Sequence, residues 1–170
     1  MNDSTYILDE ILLASSGKRF VNYLIDYAFN YGFGYVFGLF LVLIADVLES
    51  FGITAFGFWI YNLGQIEWII IGIMLTVVYY ILVEGFFGIS LGKLVTGTIV
   101  VDENGEKPSF KTIIKRSFCR CIPFDAFTFL GGSRGWHDSL SDTYVVDKKA
   151  LAEEKKMFYE FKLIGIPEQE

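Results

Sequence analysis

Arg19, Asn22, Asp26 and Asn30 stand at i, i+3, i+7 and i+11 in a stretch made otherwise of Phe, Leu, Ile, Val, Tyr and Gly. On an α-helix these positions stay within roughly 80° of one another, a single polar stripe on an apolar rod. A second stripe, Gly72, Thr76, Tyr80 and Glu84, recurs every fourth residue and also ends in an acid. Asp26 lies about 10 Å along the axis from Arg19. An arginine stem can reach back to lipid head groups, whereas an aspartate is too short. Asp26 must therefore find a proton, a cation or hydrogen bonds inside the protein. Two roles follow for Asp26 and Glu84. They exchange protons or cations, or they form a polar clamp with Arg19, Arg116 or Arg120. Burial would favour the protonated acids, and a neighbouring arginine the charged ones.

The only histidine lies in Gly135-Trp136-His137-Asp138-Ser139. A His-Asp pair suits a base with its orienter, but one His without nearby Cys makes a poor metal site. Asp138 has a simpler use as a cap for the turn that begins at Ser139. Cys119 and Cys121, one residue apart, are expected to be reduced thiols. No phosphate-cradling loop, nucleophile elbow or His-Glu-x-x-His pair occurs. The expectation is a chain that is not an enzyme and uses neither metal nor cofactor.

The elements that hold these residues are membrane elements. Of 170 residues, 53% are apolar and 18% aromatic, more than a core of this size could hide from water. No Lys, Arg or His occurs between Phe20 and Gly92, although five acids do. The net charge of −6 is concentrated there, so it implies neither an acidic soluble surface nor the basic stripe that nucleic acid needs. One span is predicted over about 20–47, with Gly32, Gly34 and Gly38 as places to bend, and another over about 66–87. Between them the apolar piece Phe51 to Leu63 is short for a third crossing, and Trp59, Tyr61 and Trp68 suit an interfacial belt. Bases flank the spans at Lys18, Arg19 and Lys93 and are missing between them. The positive-inside rule then puts both termini in the cytoplasm.

Residues 1–17 read as an N-terminal cytoplasmic segment without a cleavable signal, 18–147 as the main domain, and 148–170 as an exposed charged tail. Past Gly92, Thr96 to Val101 and Thr143 to Val146 are β-branched runs able to pair, and Asp102-Glu103-Asn104-Gly105 is a turn. Ser109 opens a helix over about 110–122. Phe110, Ile113, Ile114, Phe118 and Cys121 share one face, with Lys111, Lys115, Arg116 and Arg120 beside or opposite. Such a helix lies in the membrane interface with its cations on anionic head groups, or packs on the strands with a solvated basic face. Phe124 to Leu130 is a short apolar stretch able to dip into the bilayer. The fold class is thus an α-helical integral membrane protein of two spans, with a small interfacial part holding an amphipathic helix and a two-stranded β element.

Three segments together resemble the RDD family of small prokaryotic membrane proteins. They are Lys18-Arg19-Phe20 with Asp26, the Glu84…Gly88-Ile89-Ser90-Leu91-Gly92-Lys93…Gly97 to Asp102 stretch, and Trp136 to Thr143. The form Arg134-Gly135-Trp136-His137-Asp138 resembles the Bacteroidetes branch. The resemblance makes Arg19, Asp26 and Asp138 the family's arginine and two aspartates. It implies that these meet at the inner mouth of the helix pair, where Arg19 could bridge two carboxylates. For function it implies transport, with ion/proton antiport as one form. The expectation is a multi-pass inner-membrane transport component handling protons or cations through an ion network of Arg19, Asn22, Asp26, Glu84, Arg116, Arg120, His137 and Asp138. Two helices enclose no pathway, so it would act as a homo-oligomer or with a membrane-protein partner. The alternative is a scaffold or accessory subunit that binds another membrane protein or lipid.

Overall fold

The computed structural model describes residues 6–128, 131–132 and 134–164, with side chains through 161. The expectations that touch residues 1–5, Phe129, Leu130 and 165–170 lie outside the described residues. Two helices are long and apolar enough to cross a bilayer, α1 (Ser16–Ser50) and α3 (Gln65–Phe87). Ser15 caps α1, its hydroxyl accepting from the Lys18 amide. The 35 residues of α1 make a rod of about 52 Å against about 30 Å of hydrocarbon. The helix runs unbroken through Gly32, Gly34 and Gly38. Its surplus length is used instead at the N-terminal end. There Arg19, Asn22 and Asp26 are buried against other elements, while the later turns present Val36, Leu39, Phe40 and Leu43 outward. The α3 helix, about 34 Å for its 23 residues, matches a bilayer. It stops at Gly88, whose φ of 71° gives the left-handed cap that glycine adopts without strain.

Between the spans, α2 (Ala55–Tyr61) is a seven-residue helix of about 10 Å, too short to cross. It packs on α1 and shields Ala45 and Ile60. At the other end, α4 (Leu91–Thr96) doubles back onto α1. The strands β1 (Thr98–Val101) and β2 (Tyr144–Asp147) pair antiparallel, Thr98 opposite Asp147 and Val101 opposite Tyr144. The predicted strands are both present, although α4 takes Thr96 from the first. The expected turn follows β1, with Asp102 Oδ1 accepting from the Asn104 and Glu106 amides at 2.9 Å each. Then come α5 (Phe110–Cys119), α6 (Asp125–Thr128) and α7 (Trp136–Leu140) before β2, and α8 (Lys148–Ile164) after it.

An isolated pair of strands is marginal unless something covers it. Here Val101 and Val146 form a core with Tyr6, Leu12 and Leu151. Leu13 bridges to Val146, and the Tyr6 hydroxyl donates to Glu154 at 3.0 Å. The charged C-terminal helix is therefore not simply an exposed tail. Its Leu151 is 5% exposed, and the helix clamps the N-terminal segment onto the sheet. Both ends of the described chain thus lie at one end of the helix pair, as an even number of spans requires.

The α5 helix departs from both expected arrangements. Ser109 does cap it, accepting from the Thr112 amide at 3.1 Å. Lys111 and Lys115 are exposed, but Arg116 is fully buried against α3 and Arg120 is largely covered, while Phe110 and Phe118 face outward. The cause is the acid on the neighbouring span, which draws both arginines inward. Removing packing at the sheet should free the terminal helix: Leu151→Ala is expected to cost about 2–4 kcal/mol. Limited trypsinolysis in detergent should then cut at Lys155 and Lys156 faster than in the parent chain.

Candidate functional site: a buried charge network beside a cavity

Glu84 is completely buried near the end of α3 and meets three cations. Lys93 Nζ lies 2.6 Å from Oε1, Arg120 Nη2 3.1 Å from the same oxygen, and Arg116 Nε 3.0 Å from Oε2. Arg116 continues the chain of charges, because its Nη1 donates to Asp138 and to Thr143. Asp138 in turn pairs with Arg19 and accepts from the Gly135 amide at 3.2 Å. Charges therefore alternate from α4 and α5 through α3 and α7 to α1. A buried carboxylate needs such partners, since its desolvation costs several kcal/mol when unmet. Arg116 bridges two carboxylates, Glu84 and Asp138. Lys93, which serves in the sequence as a flag for the inner face, is 3% exposed and bonded to Glu84.

Asp26 is held by a different kind of contact. Its carboxylate accepts from Ser90 Oγ at 2.6 Å, the Gly92 amide at 2.8 Å, Tyr79 OH at 3.1 Å and Tyr80 OH at 3.3 Å. Tyr79 OH also accepts from the Leu91 amide at 3.0 Å. Asp26 thus caps the first turn of α4 from a neighbouring helix, meeting one free amide directly and another through a tyrosine. Gly92 makes this possible. A Cβ there would lie 2.3 Å from the Asn22 carbonyl oxygen, so α4 can touch the α1 backbone only with glycine at this point. The Asn22 side-chain amide lies within hydrogen-bond reach of the Thr96 and Thr98 hydroxyls. Asn30 donates to the Asp26 carbonyl at 2.8 Å.

His137 is buried between two acids, its Nδ1 2.6 Å from Asp125 Oδ2 and its Nε2 3.5 Å from Asp138 Oδ1. The Asp125 partner is missing from the sequence reading, although it is an acid inside an apolar stretch, the same signal that marks Asp26. Asp125 also accepts from the His137 amide at 2.8 Å, tying α6 to α7. Burial, then the positive field of Arg120, Arg116, Arg19 and Lys93, hold the imidazole well below its usual range. Burial raises the Asp125 carboxyl. Burial likewise brings Lys93 down to about 8 against the pull of Glu84. Asp138 does not cap the expected turn that begins at Ser139; it lies inside α7, whose N-cap is Gly135, and its carboxylate reaches back to the Gly135 amide.

A cavity of about 140 Å³ opens beside the network. Four cations, Arg19, Lys93, Arg116 and Arg120, line it with two carboxylates, Asp26 and Asp125. Glu84 and Asp138 stand behind the cations and are not part of the lining. Arg116 Nη2 and Arg120 Nε are buried without a hydrogen-bond partner among the described residues. All eight residues expected in the network are in or next to this cavity. Residues 13–151 match the RDD family model. The chain belongs to the RDD family. That family is one of membrane proteins, in agreement with the two long apolar helices. No curated protein and no solved structure matches the chain. Arg19 and Asp138 pair directly, and Asp26 borders the same cavity.

Gly92→Ala should lower stability by at least about 3 kcal/mol, because backbone meets backbone and no rotamer can relieve the clash. A melt followed by circular dichroism in detergent measures this, and a loss below about 1 kcal/mol would refute the close approach. The His137 shift has a definite sign. The unfolded chain takes up a proton near its usual 6.5 while the folded imidazole resists it, so stability from this group is present above that pH and declines below it. Asp125, shifted upward, acts in the opposite direction within its own range. The detergent melting temperature should fall between about pH 7.5 and about pH 5.5, and His137→Gln, which leaves Asp125 in place, should flatten that fall.

Proposed function

We propose that this RDD protein is a transport component of the cytoplasmic membrane, both termini inside, working as a homo-oligomer or with a membrane-protein partner. The supporting observation is the charged cavity at one end of a two-helix unit, adjoining a cleft between the spans. Two helices enclose no pathway, so passage across the membrane needs further copies or a partner. The sidedness rests on the bases, which are missing between Phe20 and Gly92 and gather at the sheet end.

Protons or cations at Asp26 and Glu84 are the cargo suggested by the sequence alone. The geometry favours an anion. Asp26 accepts four hydrogen bonds, which fills its lone pairs, and the charge of Glu84 is already met by three cations. Among the lining residues the unpartnered buried donors belong to Arg116 and Arg120, beside one unpartnered acceptor, Asn30 Oδ1, and four cationic side chains face the space. A phosphate or carboxylate group would satisfy them with charge-assisted hydrogen bonds. A second reading, a non-transporting scaffold, is favoured by the network itself, which ties α1, α3, α4, α5 and α7 together.

Proteoliposomes separate these readings. Labelled glycerol phosphate and fluorescent phosphatidylglycerol report anion movement, and an internal pH dye reports sodium/proton exchange. Movement of at least one anion is expected, reduced about tenfold or more in Arg120→Gln, the loss that one charge-assisted hydrogen bond carries. Sodium/proton exchange abolished by Asp26→Asn would restore the cation reading. No movement of any species by an intact assembly would leave the scaffold.

A further inference from the structure

The cleft between α1 and α3 is large, about 800 Å³, and one of its walls is unusual. Tyr23, Tyr27, Tyr31 and Tyr35 recur every fourth residue along α1, all bordering the cleft. Adjacent rings lie 6.0 Å apart for Tyr23 and Tyr27, and 6.4 Å apart for Tyr27 and Tyr31. The hydroxyls of Tyr27, Tyr31 and Tyr35 make no hydrogen bond to any described residue, and these side chains are 58%, 72% and 67% exposed. Tyrosine in a membrane protein places its ring in hydrocarbon and its hydroxyl on something polar. A line of four leading inward from the charged end needs a companion with both characters.

The charged cavity supplies the other end. Asn30, Thr76, Tyr80 and Arg120 border both spaces, so the cleft and the cation-lined pocket adjoin at these residues. Arg120 stacks on Tyr80 with its guanidinium 3.9 Å from the ring centre, at the junction. From Tyr23 to Tyr35 the ladder rises about 18 Å, close to the hydrocarbon depth of one leaflet, half of about 30 Å. Next to it, Arg116, which is fully buried, keeps Nη2 unpartnered and Arg120 keeps Nε.

We infer that the cleft holds one anionic glycerophospholipid, its phosphate against Arg116 and Arg120 and an acyl chain along the tyrosine ladder. The inference rests on the proposed reading of the cavity as an anion site and names the ligand class. Charge complementarity selects this occupant. A zwitterionic lipid would bring an ammonium group towards four cations, and an apolar helix from a second copy would leave the arginine nitrogens unmet. Ester and glycerol oxygens give the tyrosine hydroxyls acceptors along the way.

The test is binding to the purified full chain in detergent, by native mass spectrometry with phosphatidylglycerol and phosphatidylcholine titrated in parallel. Phosphatidylglycerol should be retained about tenfold better or more, the effect of a charge-assisted hydrogen bond. Arg120→Gln should remove that preference. Gly34→Phe should block the chain path without touching the network, because Gly34 borders the cleft and a Cβ there meets nothing within 4 Å. Circular dichroism and gel filtration check that each variant folds. Equal retention of the two lipids overturns the inference, as does a preference that survives both substitutions. Stabilisation by inorganic phosphate without any lipid preference assigns the site to a soluble anion and also overturns it. So does a photo-crosslinker at position 31 that captures a second copy of the chain. Selective binding without transport in proteoliposomes leaves the lipid site standing and removes only the transport reading.

Discussion

A carboxylate shut away from water must be met by positive charge from the protein, and Glu84 imposes that demand on everything near it. Three cations from two separate elements converge on its two oxygens. Each cation then has to be balanced in its turn, which carries the alternation through Arg116 to Asp138 and on to Arg19. Arg19, Lys93, Arg116 and Arg120 face Asp26, Glu84, Asp125 and Asp138, four of each sign in one small volume. In such a network the loss of one member leaves an uncompensated charge, so the cost falls on the whole set rather than on a pair. The geometry of five helices therefore follows from one acid near the end of the second span.

Asp26 and Glu84 look alike in the sequence, two acids inside apolar runs, yet they solve burial by opposite means. Glu84 is neutralised by full charges. Asp26 is surrounded by hydroxyls and a helix amide, whose partial charges stabilise an anion without requiring a cation beside it. The difference arises because α4 turns back so tightly that Gly92 meets the α1 backbone, bringing the start of that short helix to the carboxylate. Asp26 is a packing device as well as a charge, since it meets the Gly92 amide while Ser90, which donates to it, caps the Lys93 amide.

Much of this was legible in the sequence where the signal is local. The spans, the two strands, the Asp102 turn and the Ser109 cap each depend on residues within a few positions of one another, and each is present. The stripe of Arg19, Asn22, Asp26 and Asn30 also lies on one face, as its spacing requires. What periodicity cannot supply is the identity of a distant partner. Arg116 and Arg120 count as polar when a helix is plotted alone, and an outward basic face is the natural reading in water. Beside a buried acid in a membrane protein the preference reverses: arginine turns in and Phe110 and Phe118 turn out. Lys93 carries a second role that spacing does not reveal, because a base that flags the inner face can also be the counter-ion of the span it follows. The charges of α8 predict an exposed helix, although Leu151, with Ala150 and Phe158 beside it, anchors it on the sheet.

The same polar end decides the shape of the membrane part. The two spans touch α4 and α5 more extensively than they touch each other. Their separation is therefore set by the ion pairs and the capped helix, not by ridges and grooves meeting along their length. The spans still meet where Gly38 faces the Trp68 ring, and the cleft opens beside that contact. The apolar wall and the charged floor of that cleft are thus consequences of one arrangement: the residues that compensate Glu84 also hold the helices apart and line the space between them.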